Sequence, residues 1–212
     1  MRLDHVSYAA SHDQISNVLN RIGSQIGTAF VDGGIHPKFG TRNFTAPLLN
    51  GQYIEVVCPL DHPATDATPF GRAVKKKALE GGGWMSWVIA TDNIAKIEGN
   101  LGRKSVDGQR TKPNGSILRW KQIGVLEILN DSQQPFYVEW LGTDHPSTDG
   151  SPYAELKEIH ILGEENSGLK LLNKFEKFKL EDLKINFLKP INDITGIKEI
   201  VFEIKGNQVR ID

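Results

Sequence analysis

The sequence predicts an α+β protein made of two βαβββ modules, with a third and partial module at the C-terminus. Two observations support this prediction. Segment 53–66, YIEVVCPLDHPATD, returns in a near copy at 137–149, YVEWLGTDHPSTD, and each copy starts with the aromatic and β-branched residues that favour strands. The elements before each copy also follow the same order, so the repeat covers a whole module and not one turn.

The first module is predicted to contain a strand, a helix and three further strands. Segment 3–9, LDHVSYA, alternates as a strand does, whereas segment 11–23 carries apolar residues at helical spacing and ends at a glycine. Segment 27–40 is a short strand that runs into a turn rich in Gly and Pro. A further strand begins at residue 41, and an Asn-Gly pair then indicates a hairpin into the strand 53–57.

The second half of the chain repeats this order. Its first strand is predicted at 85–91, its helix at 91–102 and its later strands within 104–141. The resulting division places the first module at 1–66, a linking helix at 67–82, the second module at 83–150 and the partial module at 151–212. In the partial module, the charged segment 174–184, KFEKFKLEDLK, is predicted to be a helix with a solvated face.

Composition excludes several classes of protein. The 212 residues are 39% hydrophobic and 24% charged, with a net charge of −1, so nothing indicates a nucleic-acid partner. No stretch approaches the 18 apolar residues of a membrane span, and the N-terminus lacks the apolar core of a signal peptide. The single cysteine, Cys58, excludes an internal disulfide. These features predict a cytoplasmic protein without a membrane or nucleic-acid partner, and they leave a homodimer open.

A glutamate lies in the middle of the last strand of each module. Glu55 and Glu139 are surrounded by large apolar residues, where a charge needs a partner. Strand alternation places His5 on the same helix-free face as Glu55. Trp87 is the predicted equivalent of His5, because Trp87 precedes Glu139 by 52 residues and His5 precedes Glu55 by 50.

The ordered series of motifs resembles the vicinal oxygen chelate superfamily, and within it the glyoxalase-like proteins. The segments that carry the resemblance are LDHV at 3–6, GGIHPKFGTRN at 33–43, YIEVV at 53–57, RTKPNGSILRW at 110–120 and PFYVEWLGTDHPS at 135–147. That superfamily includes glyoxalase I, extradiol dioxygenases, and bleomycin- and fosfomycin-resistance proteins. The resemblance implies that the paired modules form a half-open barrel around a cup.

The resemblance also implies a divalent metal ion in the cup, held by residues of the first and fourth strands of each module. Carried over to this chain, the metal ligands are His5, Glu55 and Glu139. The fourth position departs from the pattern, because Trp87 cannot bind a metal. One histidine and two carboxylates suit Fe(II), Mn(II), Zn(II) or Ni(II).

Further residues are predicted to contact a small-molecule substrate. His36, in GIHPKFGTRN, is a candidate general acid or base, although Gly and Pro around it also fit a purely structural turn. Thr41 and Asn43 can supply hydrogen bonds from the next strand. Trp87 and Trp120 are predicted to form an aromatic wall. Arg110 is the remaining substrate-binding candidate.

Three functional hypotheses follow. The first is an enzyme, a metal-dependent lyase, isomerase or oxygenase that acts on a small molecule with neighbouring oxygens. The second is a metal-free protein that binds or sequesters a small molecule, as drug-resistance proteins do. The third is a structural or regulatory module whose cup has lost its chemistry. His62 and His145, in the two Asp-His-Pro turns, are interpreted as turn scaffold and not as a second metal site.

Overall fold

The computed structural model of the protein describes residues 1–142, 144–175 and 183–212. Twelve strands occur within these ranges: β1 Arg2–Ala9, β2 Val31–His36, β3 Thr41–Pro47, β4 Tyr53–Pro59, β5 Gly83–Ala90, β6 Val106–Thr111, β7 Ile117–Ile123, β8 Phe136–Trp140, β9 Glu155–Leu162, β10 Lys184–Leu188, β11 Gly196–Ile204 and β12 Asn207–Ile211. The α-helices are α1 Ile15–Ile26, α2 Pro63–Ala67, α3 Pro69–Leu79, α4 Ile94–Leu101, α5 Val125–Asn130 and α6 Glu165–Gly168. Three short 3₁₀ turns lie at Leu49–Gly51, Pro146–Thr148 and Leu172–Lys174.

The first eight strands form one closed ring in the order β1-β4-β3-β2-β6-β7-β8-β5. Within each module the first strand runs parallel to the fourth, as β1 does to β4 and β5 does to β8. The other neighbours in the ring are antiparallel. The predicted α+β class with paired βαβββ modules is therefore confirmed.

The ring closes unequally at the two places where the modules meet. Strands β1 and β5 pair along their whole length, whereas β2 and β6 meet only through Ile35 and Thr111. Gly34 makes this second approach possible: with φ of +96°, a Cβ atom there would lie 2.1 Å from the carbonyl oxygen of Thr111. The ring is therefore closed, and the predicted half-open side corresponds to a seam with one backbone pair. Side-chain hydrogen bonds from Lys38 to the Asp107 carbonyl and from Arg110 to Asn43 also cross it.

Two hydrophobic clusters lie on opposite faces of the ring. The outer cluster packs α1, α4 and the C-terminal sheet against the outward side chains of β1, β4 and β5. The inner cluster lies inside the ring and packs against α3 and α5. Because strand residues alternate between these clusters, the position of a residue within its strand decides whether it faces the interior.

The C-terminal region forms a separate four-stranded sheet in the order β10-β9-β11-β12. This order differs from that of the two modules, because β9 pairs in parallel with the next strand in the chain, β10. Most of the predicted charged helix at 174–184 falls outside the described residues. No helix in the described ranges is long and apolar enough to cross a membrane.

Candidate functional site

A small cavity lies inside the ring and is lined by residues of both modules and of α3. Its volume of about 30 Å³ is room for about two water molecules. The first module contributes mostly polar side chains and the second mostly aromatic and apolar ones. The lining residues are His5, His36, Asn43, Tyr53, Glu55, Phe70, Arg110, Trp120, Gln122, Phe136, Val138 and Trp140.

Glu55, on β4, is the carboxylate of this cavity. It is buried, and each of its oxygens accepts one hydrogen bond: Oε2 from Ser7 Oγ and Oε1 from Asn43 Nδ2, both at 2.8 Å. Burial alone would raise the pKa of Glu55, but attraction to His5 and these two hydrogen bonds outweigh it and keep the pKa below its ordinary value. Glu55 is therefore ionised at pH 7 although it is buried inside the barrel.

His5, on β1, faces Glu55 and is held from behind by Asp4. The register of β1 against β5 slips between Leu3 and His5, so Asp4 is the extra residue of a β-bulge and its carboxylate reaches the neighbouring ring. His5 Nδ1 lies 3.0 Å from Asp4 Oδ2, which can only accept, so Nδ1 carries the proton. The other ring nitrogen, Nε2, lies 4.0 Å from Glu55 Oε2, so the imidazole and the carboxylate face each other in the cavity.

Asp4 connects His5 to the second module. It is fully buried and also accepts hydrogen bonds from His145 Nε2 and Trp140 Nε1, both at 3.1 Å, beside an ion pair with Arg2. Burial would raise the pKa of Asp4, but the hydrogen bonds and the electrostatic attraction of His145 and His5 hold it well below its usual range. An ionised Asp4 therefore fixes the orientation of His5.

His36 ends β2 and lies among aromatic rings. Its Nδ1 is hydrogen-bonded to Thr41 Oγ1 at 3.0 Å, and Phe39, Phe70 and Trp120 surround the ring edge-on. Burial lowers the pKa of His36 to about 4. The imidazole is therefore neutral at pH 7, and Thr41 acts as its support and does not line the cavity.

The neutral His36 predicts a loss of stability in mild acid. Its pKa is lower in the folded chain than the ordinary 6.5, so the unfolded chain binds the proton first and stability falls as the pH drops from about 6.5 to 4. The loss between pH 7 and pH 5 is expected to be about 2 kcal/mol. Urea unfolding at both pH values measures it, and His36→Gln is expected to remove most of it. The lowered pKa values of Asp4 and Glu55 reduce stability mainly below this pH range. If His36→Gln lost as much stability between pH 7 and pH 5 as the wild type, the loss would not come from His36.

Arg110 enters the cavity from β6 and meets the first module through Asn43. Its Nη1 donates to Asn43 Oδ1 at 2.9 Å, and the same amide donates to Glu55. Gly33 makes room for this contact, because a Cβ atom at residue 33 would lie 1.9 Å from Arg110 Nη1 and 2.2 Å from Asn43 Oδ1. The Gly-Gly pair in GGIHP is therefore part of the site and not of a turn.

The second module places apolar residues at the positions equivalent to the polar groups of the first. His5 pairs with Tyr53 across β1 and β4, and Ser7 with Glu55. The corresponding pairs across β5 and β8 are Val88 with Phe136 and Ala90 with Val138, each residue 83 positions after its counterpart. The duplication has thus left one polar and one apolar half around the cavity.

This register corrects two sequence predictions. Trp87 is the neighbour of the true equivalent of His5, Val88; it packs in the outer cluster and donates its Nε1 hydrogen to the carbonyl oxygen of Gln133. Glu139 likewise follows Val138, so it faces the outside of the ring, half-buried and opposite Lys121 on β7. Both errors are slips of one residue, which turn a strand side chain to the other face.

The predicted three-ligand metal site is therefore not assembled. His5 and Glu55 meet in the cavity, but Glu139 does not join them. In the described part of the chain, no group of three or more His, Cys, Asp or Glu side chains is arranged to hold a metal ion. The residues present do not fit the ligand set that the resemblance implied.

Sequence reasoning missed several residues of the site. Asp4 and Ser7 belong to the first predicted strand, LDHVSYA, but the sequence does not show what they contact. A β-bulge places Asp4 beside His5, and Ser7 donates a hydrogen bond to Glu55 on the neighbouring strand. Tyr53 stacks on His5 with ring centroids 4.4 Å apart. The Asp-His-Pro turns behave alike: His62 and His145 each accept a backbone hydrogen bond at the start of a short helix, and His145 additionally contacts Asp4.

Comparison with known proteins gives the family. The model of the glyoxalase-like domain matches residues 3–171. This chain belongs to the glyoxalase-like domain family. The predicted resemblance is confirmed, and no curated protein matches the glyoxalase-like chain in sequence.

Solved structures resemble all or part of the glyoxalase-like chain. A hypothetical protein from Staphylococcus aureus has a TM-score of 0.63 at 15% identity, over 100% of this chain and 98% of that one. Methylmalonyl-CoA epimerase from Mycobacterium tuberculosis has a TM-score of 0.44 at 13% identity, over 67% of this chain and 88% of its own. The first likeness supports the fold, and the second carries no argument about function.

Proposed function

We propose that this glyoxalase-like protein is a lyase or isomerase that moves a proton on a small molecule with neighbouring oxygens. The observation that carries the proposal is the buried, ionised Glu55 with the imidazole of His5 4.0 Å from its Oε2. Hydrogen bonds from Ser7 and Asn43 keep this carboxylate deprotonated and fixed in position, so it can accept a proton from a small molecule in the cavity.

Each polar group has a separate task in this proposal. Glu55 removes a proton from the carbon next to a carbonyl group and returns it to the neighbouring carbon, while His5 Nε2 forms a hydrogen bond with the neighbouring hydroxyl. His36, neutral at pH 7, donates a hydrogen bond to the carbonyl oxygen as negative charge develops there. Asp4 keeps the His5 ring in the tautomer that this role needs.

Substitution of Glu55 tests the proposal. In D₂O, exchange of the carbon-bound protons of glycolaldehyde, hydroxyacetone or pyruvate can be followed by NMR. Wild-type protein is expected to accelerate exchange for at least one of them, and Glu55→Gln is expected to slow it about 100-fold or more, because general base catalysis contributes that much. Full activity in Glu55→Gln would refute the assignment of the base.

Glu139→Gln is the matched control for this substitution. It makes the same chemical change at the corresponding strand of the second module, but on the outer face. We expect it to leave the exchange rate unchanged. Elemental analysis of both variants after dialysis against Mn(II), Fe(II), Zn(II) or Ni(II) tests the ligand assignment in parallel: any metal content should be independent of Glu139.

The second candidate function is binding or sequestration without turnover. The lining residues Trp120, Phe136 and Val138 favour it, because a ligand can pack against these aromatic and apolar side chains without any chemical step. Ligand binding with no exchange in any probe would support this alternative over the first.

A further inference from the structure

Arg110 is a buried cation with unused hydrogen-bonding capacity. Only 1% of its surface is exposed, and its Nη2 atom has no hydrogen-bond partner among the described residues. Its side chain lines the cavity, where Nη1 is occupied by Asn43. An arginine in the interior normally has a carboxylate or several acceptors around it, because an unpaired buried charge is costly.

Glu55 does not neutralise Arg110 directly. The Asn43 amide stands between them, with its oxygen toward Arg110 and its nitrogen toward Glu55. The second-module side chains beside it in the cavity, among them Trp120, Gln122 and Phe136, carry no negative charge. Asp32 on β2 is close enough for Arg110 to help lower its pKa, but its carboxylate accepts hydrogen bonds from Arg42 and from the Gly34 amide. The guanidinium therefore keeps one face for a partner that the described protein residues do not supply.

We propose that Arg110 binds the carboxylate of the ligand, so that the substrate is a short carboxylic acid with an oxygen on the neighbouring carbon. This inference rests on the proposed function and names its substrate class. A guanidinium recognises a carboxylate through charge-assisted hydrogen bonds. The carboxylate then anchors at the Arg110 side of the cavity, and the neighbouring carbon faces His5 and Glu55.

The size of the cavity restricts the ligand. Room for about two water molecules matches the two oxygen atoms of one carboxylate group. A phosphate group is larger and would bring a second negative charge toward Glu55. A carboxylate is therefore the anion that matches both the volume and the single available cation.

Binding of acetate and of its neutral analogue acetamide tests the inference without any turnover. The two molecules have nearly the same shape and differ in charge. At fixed ionic strength, acetate is expected to shift the indole N–H signal of Trp120 with an affinity at least tenfold higher than that of acetamide. Equal affinities would overturn the inference, and so would preference for inorganic phosphate over acetate.

Two arginine substitutions distinguish a specific effect of Arg110 on acetate binding from an effect of the protein's overall charge. Arg110→Met keeps an unbranched side chain but removes the guanidinium, and it is expected to weaken acetate binding at least 30-fold. Arg119→Met removes an exposed arginine on the adjacent β7 and should change nothing. Unchanged acetate binding in Arg110→Met would refute the inference. If that variant does not fold, the acetate and acetamide comparison in wild-type protein decides the question by itself.

Glu55→Gln distinguishes this inference from the proposed function. It should abolish proton exchange while acetate binding stays equal or becomes tighter, because a neighbouring negative charge is removed. Acetate binding without exchange in any probe would retain the carboxylate site and refute the proposed reaction. Exchange of neutral probes without acetate binding would retain the proposed reaction and refute the carboxylate site.

Discussion

Replacement of Asp4 by alanine is expected to lower the free energy of unfolding by about 3–5 kcal/mol, the usual cost of removing one partner from a buried charge network. The substitution leaves His5 Nδ1, His145 Nε2 and Trp140 Nε1 without their common acceptor. It also removes the neighbour that fixes the tautomer of His5. Urea unfolding of the wild-type and variant proteins at pH 7 measures the effect.

Asp13→Ala is the control for this result. Asp13 is exposed just before α1, so its removal should change stability by no more than about 0.5 kcal/mol. Asp4→Asn is informative as a second variant, because the amide keeps one acceptor but loses the charge. A loss below about 1 kcal/mol in Asp4→Ala would show that the network contributes little to stability.

Gly33→Ala is expected to abolish function while the fold survives. The new methyl group would occupy the space where Arg110 Nη1 meets Asn43 Oδ1, so both side chains must move. Such overpacking costs about 1–3 kcal/mol of stability. We expect acetate binding and proton exchange to fall about 100-fold or more, since misplacement of groups by 1 Å produces losses of this order.

Gly99→Ala is a matched control with the opposite expected sign. Gly99 lies in the interior of α4, is exposed and has no atom within 4 Å of an added Cβ. Alanine there should stabilise the protein by about 0.5–1 kcal/mol and leave binding unchanged. Normal acetate affinity in Gly33→Ala would mean that Arg110 does not need its observed position.

The repeat made the module order predictable, because two copies of the same pattern support each other. Strand alternation and the family resemblance together predicted six of the residues that line the cavity: His5, His36, Asn43, Glu55, Arg110 and Trp120. Alignment of the two copies on their glutamates gave the wrong equivalents in the second module. The residues that correspond to His5 and Glu55 are Val88 and Val138, and a valine in a strand does not indicate that it stands at a site position.

Other features of the site depend on pairings that single residues do not reveal. The bulge at Asp4 exists only in the register of β1 against β5. The contact of Arg110 with Asn43 joins residues 67 positions apart. The need for glycine at residue 33 follows from that contact and not from a turn, so local sequence rules assign it to the wrong cause.

The unequal closure of the ring has a kinetic consequence. The two modules pair along the whole length of β1 and β5. On the opposite side of the ring, where β2 meets β6, the described backbone pairs only at Ile35 and Thr111. Because that side has the fewest backbone pairs, we expect it to open locally more readily than the joint of β1 and β5 and to admit the anion proposed above. The hydrogen bond from Arg110 to Asn43 also crosses this seam, from the second module to the first. The residue proposed to bind the ligand therefore also helps to keep the seam closed.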